Sequence, residues 1–328
     1  MRAVIINNFG DESVLKYSEE VAIPDFTPNQ VLIKTYAAGI NPLDIRIRNG
    51  DLSALIGSKF PMILGNDVSG LIVKVGENVT KFKPGDEVYG VIDSNSKKSV
   101  TGFAKGGSYA EYCVTREDTL DFLPKNITRF DAASVPLASL AAYQALKKVN
   151  PKKGQEILIN GASGGVGIFA VQFSKTLGLN VTAVSSINHK EFLLSIGSNT
   201  FIDYKTDDFR TRNIKYDIIF DVVANTTYKE CKNVLNEDGI FISNVAKIKP
   251  LIKNFFNPLL SFLGYNNRDL YNWVKSSGKD LSKITNMINE GLIETFVSRK
   301  FKLAEAQQAH SYFENHSVQG KIILINDV

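Results

Sequence analysis

An α/β protein of two domains is expected from this chain: a small antiparallel barrel or sandwich joined to a doubly wound parallel sheet. Three observations predict it. Residues Glu156 to Gly178 run an apolar strand straight into a glycine-rich turn that opens a helix, and a second apolar strand, Asn180-Val-Thr-Ala-Val-Ser185, follows, so the whole reads as one βαβ unit. The first third instead alternates short apolar runs with Gly, Pro and Asp turns, the pattern of an antiparallel barrel. The chain has 328 residues, beyond the size at which a single core stops growing.

The elements follow in order. Strands are expected at Ala3-Val-Ile-Ile6, Gln30-Val-Leu-Ile-Lys34, Val68 to Val75, Asp86 to Val91 and Ser108 to Val114. From about Phe130 helices alternate with strands. The later strands are Phe201-Ile202, Tyr216 to Val223 and Gly239-Ile-Phe-Ile-Ser243, the last two nearly continuously apolar, as buried parallel strands are. A helix is expected from about Asp280 to Glu290. Strands return at Ile293 to Val297 and Gly320 to Ile325, and these rejoin the first domain.

The glycine turn carries the chemistry. Small residues at Ala162, Ser163, Gly164, Gly165 and Gly167, with Val166 between, let a backbone approach phosphate closely. The helix that follows points its unpaired N–H groups and positive dipole end at the same place. Ala162 takes the first position of G-x-G-x-x-G when Gly164 and Gly167 are the second and third. The strand, turn, helix and second strand together make this a pocket for a dinucleotide pyrophosphate rather than an ordinary corner.

Composition narrows the alternatives. With 44% hydrophobic and 22% charged residues the chain is an ordinary globular one, and a net charge of +4 with no basic run gives no reason to expect nucleic acid. The opening MRAVIINNFG reads as a strand and lacks the basic start and cleavage site of a secretory signal, and no apolar stretch spans a bilayer. A cytoplasmic location without a membrane partner is expected. The two cysteines, Cys113 and Cys231, fit a reducing compartment and read as small buried apolar residues.

Several further motifs give the chain a family likeness. These are Ala38-Gly-Ile-Asn-Pro-Leu-Asp44 with Arg48-Asn-Gly50, Pro61-Met-Ile-Leu-Gly-Asn-Asp-Val-Ser-Gly70, Lys83-Pro-Gly-Asp-Glu-Val88, Gly106-Gly-Ser-Tyr-Ala-Glu-Tyr112, Pro136 to Leu146, Gly161 to Gly167 and Gly320-Lys-Ile-Ile-Leu324. In them the chain resembles, over essentially its full length, the zinc-free quinone oxidoreductases of the medium-chain dehydrogenase/reductase superfamily. The resemblance implies a GroES-like antiparallel barrel over residues 1–124 and 290–328, and a Rossmann dinucleotide-binding domain over 125–289, with the active cleft between them. It also implies where a metal would lie. Asn41, Asn66 and Leu137 hold the three positions of the catalytic zinc ligands in zinc-dependent relatives, and the loop Ser94 to Gly107 has no cysteine for a structural zinc. Tetrahedral zinc needs soft N and S ligands, so neither metal is expected.

Without a Lewis acid, reduction of an electrophilic acceptor is easier than activation of an alcohol, which favours quinones and α,β-unsaturated carbonyls. A nicotinamide cofactor supplies the hydride, and the protein orients it and stabilises negative charge developing on oxygen. NADPH is expected because the strand after the glycines ends Val184-Ser-Ser-Ile-Asn188 with no carboxylate for ribose hydroxyls. Ser185 and Ser186 can donate to a 2′-phosphate. Lys190 either neutralises part of its charge or is a solvated helix-start lysine.

The family likeness implies further roles. Tyr204 matches a position near the adenosine end, and Asn41 matches one on the substrate side, where its amide donates to an acceptor oxygen or else caps the following turn. Asp44 reads as a cap or as a partner for Arg46 or Arg48. Arg46 stands where many relatives carry tyrosine, and an arginine there suits a carbonyl oxygen or a carboxylate. Ala141 replaces a common threonine, and Tyr143 persists as a pocket wall. Backbone of Val223, Ala224, Asn244 and Val245, at two strand ends, is placed to meet the nicotinamide carboxamide, and Lys321 reaches toward the cofactor or is merely solvated.

The basic, aromatic segment from Lys249 to Tyr265 suggests a cleft wall or dimer contact, and hence a small hydrophobic electrophilic substrate and a homodimer. Two other readings stay open: an enoyl-thioester reductase, and a cofactor-binding sensor or nucleic-acid-binding protein with little turnover.

Overall fold

The computed structural model describes residues 1–93, 107–244 and 268–326. They form two compact units, Met1–Leu140 with Lys275–Val328, and Ala141–Val274.

The first unit is built on the long strand β3 (Gln30–Gly39), which pairs antiparallel with β5 (Asp67–Val75), β7 (Tyr112–Arg116) and β16 (Lys321–Ile325). From β5 the sheet continues to β6 (Glu87–Val91) and β8 (Leu120–Phe122), and from β16 to β15 (Val297–Lys302), which runs parallel to it at the edge. A smaller sheet has the order β2 (Lys16–Ser18), β1 (Ala3–Ile6), β4 (Met62–Ile63). Alternate residues of neighbouring strands, Val31 and Ile33, Val68 and Ile72, Val88, and Cys113, close on one fully buried core. Period-two alternation puts them on one face, and each large aliphatic buried there contributes about 1.5–3 kcal/mol. The closing segment belongs to this unit because β16 docks on β3 and the helix Ala306–Asn315 buries Ala306, Ala309 and His310.

The helix Gly278–Asn289 also lies in this unit, whereas the sequence reading places it in the dinucleotide half. Its Thr285 hydroxyl donates to Asp121 Oδ2 at 2.6 Å and lies 2.9 Å from the Tyr89 hydroxyl, and these buried bonds tie the helix to β6 and β8. A second difference concerns the strand expected at Ile293 to Val297. The observed β15 begins at Val297 and continues through exposed Ser298, Arg299 and Lys300. Charged side chains on an edge strand block pairing with other chains, and here they remove the apolar signal.

The second unit is a parallel sheet of order β11 (Thr200–Asp203), β10 (Asn180–Ser185), β9 (Glu156–Asn160), β12 (Tyr216–Asp221), β13 (Leu235–Asn244), β14 (Asp269–Asn272). Counted along the chain this is the 3-2-1-4-5-6 order of a Rossmann sheet. One buried side chain from each of five strands, Leu158, Val184, Ile202, Ile219 and Phe241, fills one face. The chain leaves β9 toward β10 on one side and returns at β12 on the other, so the switch point lies between the carboxyl ends of β9 and β12. The apolar run expected as a strand to Val223 stops pairing at Asp221, for a reason that belongs to the site.

Candidate functional site

At the carboxyl edge of the parallel sheet, β9 enters the glycine turn. Gly161 carries a φ of 85°, the left-handed conformation a side chain resists, and the tight reversal falls there. Ala162 is not among the residues of positive φ, so a buried methyl is tolerated and the departure from a glycine fingerprint has no steric cost. Gly167, in the first turn of the helix Gly165–Thr176, must be glycine: a Cβ there would lie 2.2 Å from the Gly161 carbonyl oxygen. Gly164, the N-cap, differs. Among the described residues a Cβ there would meet only that same oxygen, at 3.7 Å, so their packing does not demand glycine at 164. Gly164, Gly165 and Val166 are half-buried and open the helix whose unpaired N–H groups form an anion site.

The neighbouring strand end adds polar groups. The Ser185 hydroxyl donates to the Ser163 hydroxyl at 2.7 Å, which binds the end of β10 to the turn. Ser186 is buried, yet its hydroxyl has no hydrogen-bond partner among the described residues. A buried hydroxyl left unpaired costs on the order of 1–3 kcal/mol, which a bound acceptor would recover. Tyr204 is 59% exposed, and its backbone N–H donates to the Ser185 carbonyl at 3.2 Å. Lys190 is exposed at the start of its helix. Thus the turn, both serines and Tyr204 are brought to one edge, where the Ser186 hydroxyl is an uncommitted side-chain donor among the described residues, whereas the Ser185 proton goes to Ser163.

On the other side of the switch point, Val223 is 53% exposed and Ala224 is held at φ 60°. Asn244, half-buried at the end of β13, accepts from Asn272 Nδ2 at 3.3 Å, and the same Nδ2 donates to the Ala141 carbonyl at 2.8 Å. Tyr143, on the helix Pro136–Val149, packs edge-on against Phe173 with ring centroids 5.8 Å apart. Val245, the segment from Lys249 to Tyr265 and nearly all of the loop Ser94 to Gly107 lie outside the described residues.

The first unit holds a buried polar cluster around Asn41. Helix Pro42–Asn49 starts with proline, and Asp44 caps it by accepting the Asn41 backbone N–H at 2.8 Å. The other Asp44 oxygen accepts Asn66 Nδ2 at 2.7 Å. Burial pushes the Asp44 carboxyl up to about 6 against these donors. Asp67 accepts Asn41 Nδ2 at 2.9 Å, the Leu137 N–H at 2.7 Å and the Lys321 ammonium at 3.1 Å. Lys321, 5% exposed, also donates to the Ile40 carbonyl and to Asn41 Oδ1.

Two expectations change here. The Asn41 amide is engaged within the protein: its oxygen accepts from Lys321, and its nitrogen donates to Asp67 and, at 3.4 Å, to the Gly39 carbonyl. Lys321 is not solvated: it is buried, and its ammonium donates to three protein acceptors. Both residues brace the frame. Arg46 joins none of these bonds and lies 3.8 Å from Asp51.

The three positions that hold the zinc ligands in zinc-dependent relatives offer here two engaged amides and an aliphatic chain, whose backbone N–H is committed to Asp67. That donor set does not fit tetrahedral zinc.

Beside this cluster, Arg48 is 1% exposed and forks onto Glu314 at 2.9 and 3.0 Å. It also donates to His310 Nδ1 at 3.2 Å, so the ring proton sits on Nε2 and faces the Tyr109 hydroxyl at 3.1 Å. Burial, helped by Arg48, holds the His310 pKa down to about 3. Sequence reasoning missed Asp67, His310 and Asp221 as organising groups. Only Asp221 left a signal, a polar residue closing an apolar run in Tyr216-Asp-Ile-Ile-Phe-Asp221, whereas Asp67 opens its strand and His310 lies within a helix.

Comparison with known proteins follows the same outline. Residues 27–125 match the family model of the alcohol dehydrogenase GroES-like domain, and residues 196–324 match that of the zinc-binding dehydrogenases. The chain is 33% identical to the 2-methylene-furan-3-one reductase of Solanum lycopersicum, covering 99% of this chain and 79% of that protein. It is 31% identical to the chloroplastic NADPH-dependent alkenal/one oxidoreductase of Arabidopsis thaliana, with the same coverages. The solved structure of the quinone oxidoreductase from Coxiella burnetii superposes with a TM-score of 0.87 at 28% identity, covering 99% of both chains. Among the described residues, no helix is long and apolar enough to cross a membrane.

Proposed function

The chain belongs to the quinone and alkenal oxidoreductase branch of the medium-chain dehydrogenase/reductase superfamily, and from that premise we propose that it is an NADPH-dependent reductase of quinones and α,β-unsaturated carbonyls working without a metal. The observation that carries the reading is the glycine turn at the switch point, where a Cβ on Gly164 would meet nothing closer than 3.7 Å among the described residues, with the buried hydroxyl of Ser186, unpaired among them, at the neighbouring strand end. The names of the two plant relatives, a furanone reductase and an alkenal/one oxidoreductase, favour a conjugated carbonyl as acceptor.

NADPH would supply the hydride. In this reading the backbone from Ala162 to Gly167 holds the pyrophosphate on the N–H groups of the following helix. Ser186, with Ser185 beside it and Lys190 at the start of the following helix, binds the 2′-phosphate, and Tyr204 covers the adenosine end. Val223, Ala224 and Asn244 hold the carboxamide end, and Tyr143 lines the same side. A carboxylate at the end of β10 would repel the phosphate, and Val184-Ser-Ser-Ile-Asn188 has none. Arg46, which joins none of the bonds of the buried cluster, is the cationic side chain proposed to steady an acceptor oxygen. The same reading includes a homodimer in the cytoplasm.

Following NADPH absorbance with a panel of quinones, 2-alkenals and enoyl thioesters tests the proposal. Turnover of quinones or alkenals supports it. Turnover of thioesters alone would move the assignment to an enoyl-thioester reductase, and turnover of none would leave only cofactor binding. Metal analysis of active protein should find no stoichiometric zinc, and one zinc per chain would refute the metal-free part.

A further inference from the structure

Asn160 and Asp221 end the two central strands of the parallel sheet and stand in register with each other across the switch point. Asp221 is fully buried. Its Oδ1 accepts Asn160 Nδ2 at 2.9 Å and the Ala224 N–H at 3.1 Å, and its Oδ2 accepts the Thr226 N–H at 3.2 Å. Asn160 Nδ2 also donates to Asn225 Oδ1 at 2.8 Å. A single carboxylate thus gathers the backbone that follows β12, which is why pairing stops at Asp221 although Val222 and Val223 are apolar.

Two consequences appear in the geometry. The loop turns so tightly that Ala224 adopts a φ of 60°, a conformation uncommon outside glycine, asparagine and aspartate. Val223 is carried back over the glycine turn, where a Cβ on Gly161 would lie 2.4 Å from its Cγ2. Every donor facing the two oxygens is an N–H group, which suits a carboxylate and leaves no acceptor for a protonated acid.

We propose that Asp221, braced by Asn160, is a positioning residue that sets the loop 222–226 against the glycine turn and so fixes where the nicotinamide half of the cofactor is read. The inference rests on the cofactor reading above and adds to it a specific division of labour. Ser186 and the turn act on the adenosine and phosphate end, and Asp221 acts on the other half without touching it. Strain at Ala224 follows from this role, because the carboxylate outweighs the backbone preference of an alanine.

The test separates the two halves by measuring binding of NADPH and of 2′,5′-ADP, which lacks the nicotinamide. In Asp221→Asn, an amide nitrogen replaces one acceptor and faces N–H groups. NADPH should bind about tenfold more weakly, the factor that about 1.4 kcal/mol represents, while 2′,5′-ADP affinity stays within about twofold. Asn160→Ala, which keeps the carboxylate but removes its brace, should show the same asymmetry to a smaller degree, and it carries the test should Asp221→Asn fail to fold. Equal weakening of both ligands, or no change in either, would overturn the positioning role. If the wild-type chain bound neither ligand, the cofactor reading itself would fall with it.

Discussion

The glycine turn makes a prediction in which stability and binding come apart. Gly164→Ala and Gly167→Ala add the same methyl group three residues apart, yet the two sites differ in what receives it. At Gly167 the methyl would sit 2.2 Å from the Gly161 oxygen and 2.6 Å from the Ala162 Cα and carbonyl carbon, all of them backbone atoms that cannot rotate away. Strand and helix would have to separate by about 1 Å, and overpacking of this kind costs about 1–3 kcal/mol. At Gly164 the nearest atom is 3.7 Å away, and the backbone at φ −76° and ψ 171° suits alanine. Loss of unfolded-chain freedom stabilises by about 0.4–1 kcal/mol, while alanine is a poorer N-cap than glycine by a similar amount, so the net change stays within about 0.5 kcal/mol. The methyl nevertheless occupies the space a phosphate would enter. Urea denaturation and NADPH titration on both variants check the pair. Gly167→Ala should lower the midpoint markedly, and Gly164→Ala should keep the midpoint but lose at least about tenfold in affinity. Wild-type NADPH affinity in Gly164→Ala would refute the placement of the pyrophosphate.

Three other outcomes follow from the same geometry. Ser186→Asp should shift preference from NADPH toward NADH, and an unchanged ratio of the two dissociation constants would show that the 2′-phosphate lies elsewhere. Lys321→Met leaves the Asp67 carboxylate buried without its counter-ion and should destabilise the first unit by about 3–5 kcal/mol in denaturant melts, with Asp67→Asn in the same chain recovering part of the loss. His310 binds a proton more weakly when folded, with its pKa at about 3 against an ordinary 6.5. Its contribution to stability is therefore complete above pH 6.5 and lost as pH falls toward 3; His310→Gln should flatten that decline, and an unaltered acid profile would count against the neutral, buried ring.

How much of this was legible depends on the range of the interactions. Glu156 to Ser185 is local in logic: strand, glycines, helix and second strand announce themselves by spacing, and β10 falls where expected. The end of β12 misleads because Val222 and Val223 are apolar, and the side chain that redirects them, Asp221, makes its bonds with residues three to five positions ahead. Edge strand β15 hides because Ser298, Arg299 and Lys300 face solvent. The helix Ala306–Asn315 hides because its buried face consists of Ala306, Ala309 and His310, which give little apolar contrast. Asn41 reads equally well as a cap or as a ligand-facing amide. Only Lys321, 280 residues away, and Asp67 settle where its two ends point.

The central claim, hydride delivery from a nicotinamide to a conjugated acceptor without a metal, is tested most directly by isotope transfer. NADPH deuterated at both C4 positions is incubated with a 2-alkenal and protein shown by elemental analysis to be free of zinc, and the product is analysed by mass spectrometry. The account predicts one deuterium on the β-carbon of the saturated product. A product without the label, or label transfer that appears only after zinc is added back, would contradict it.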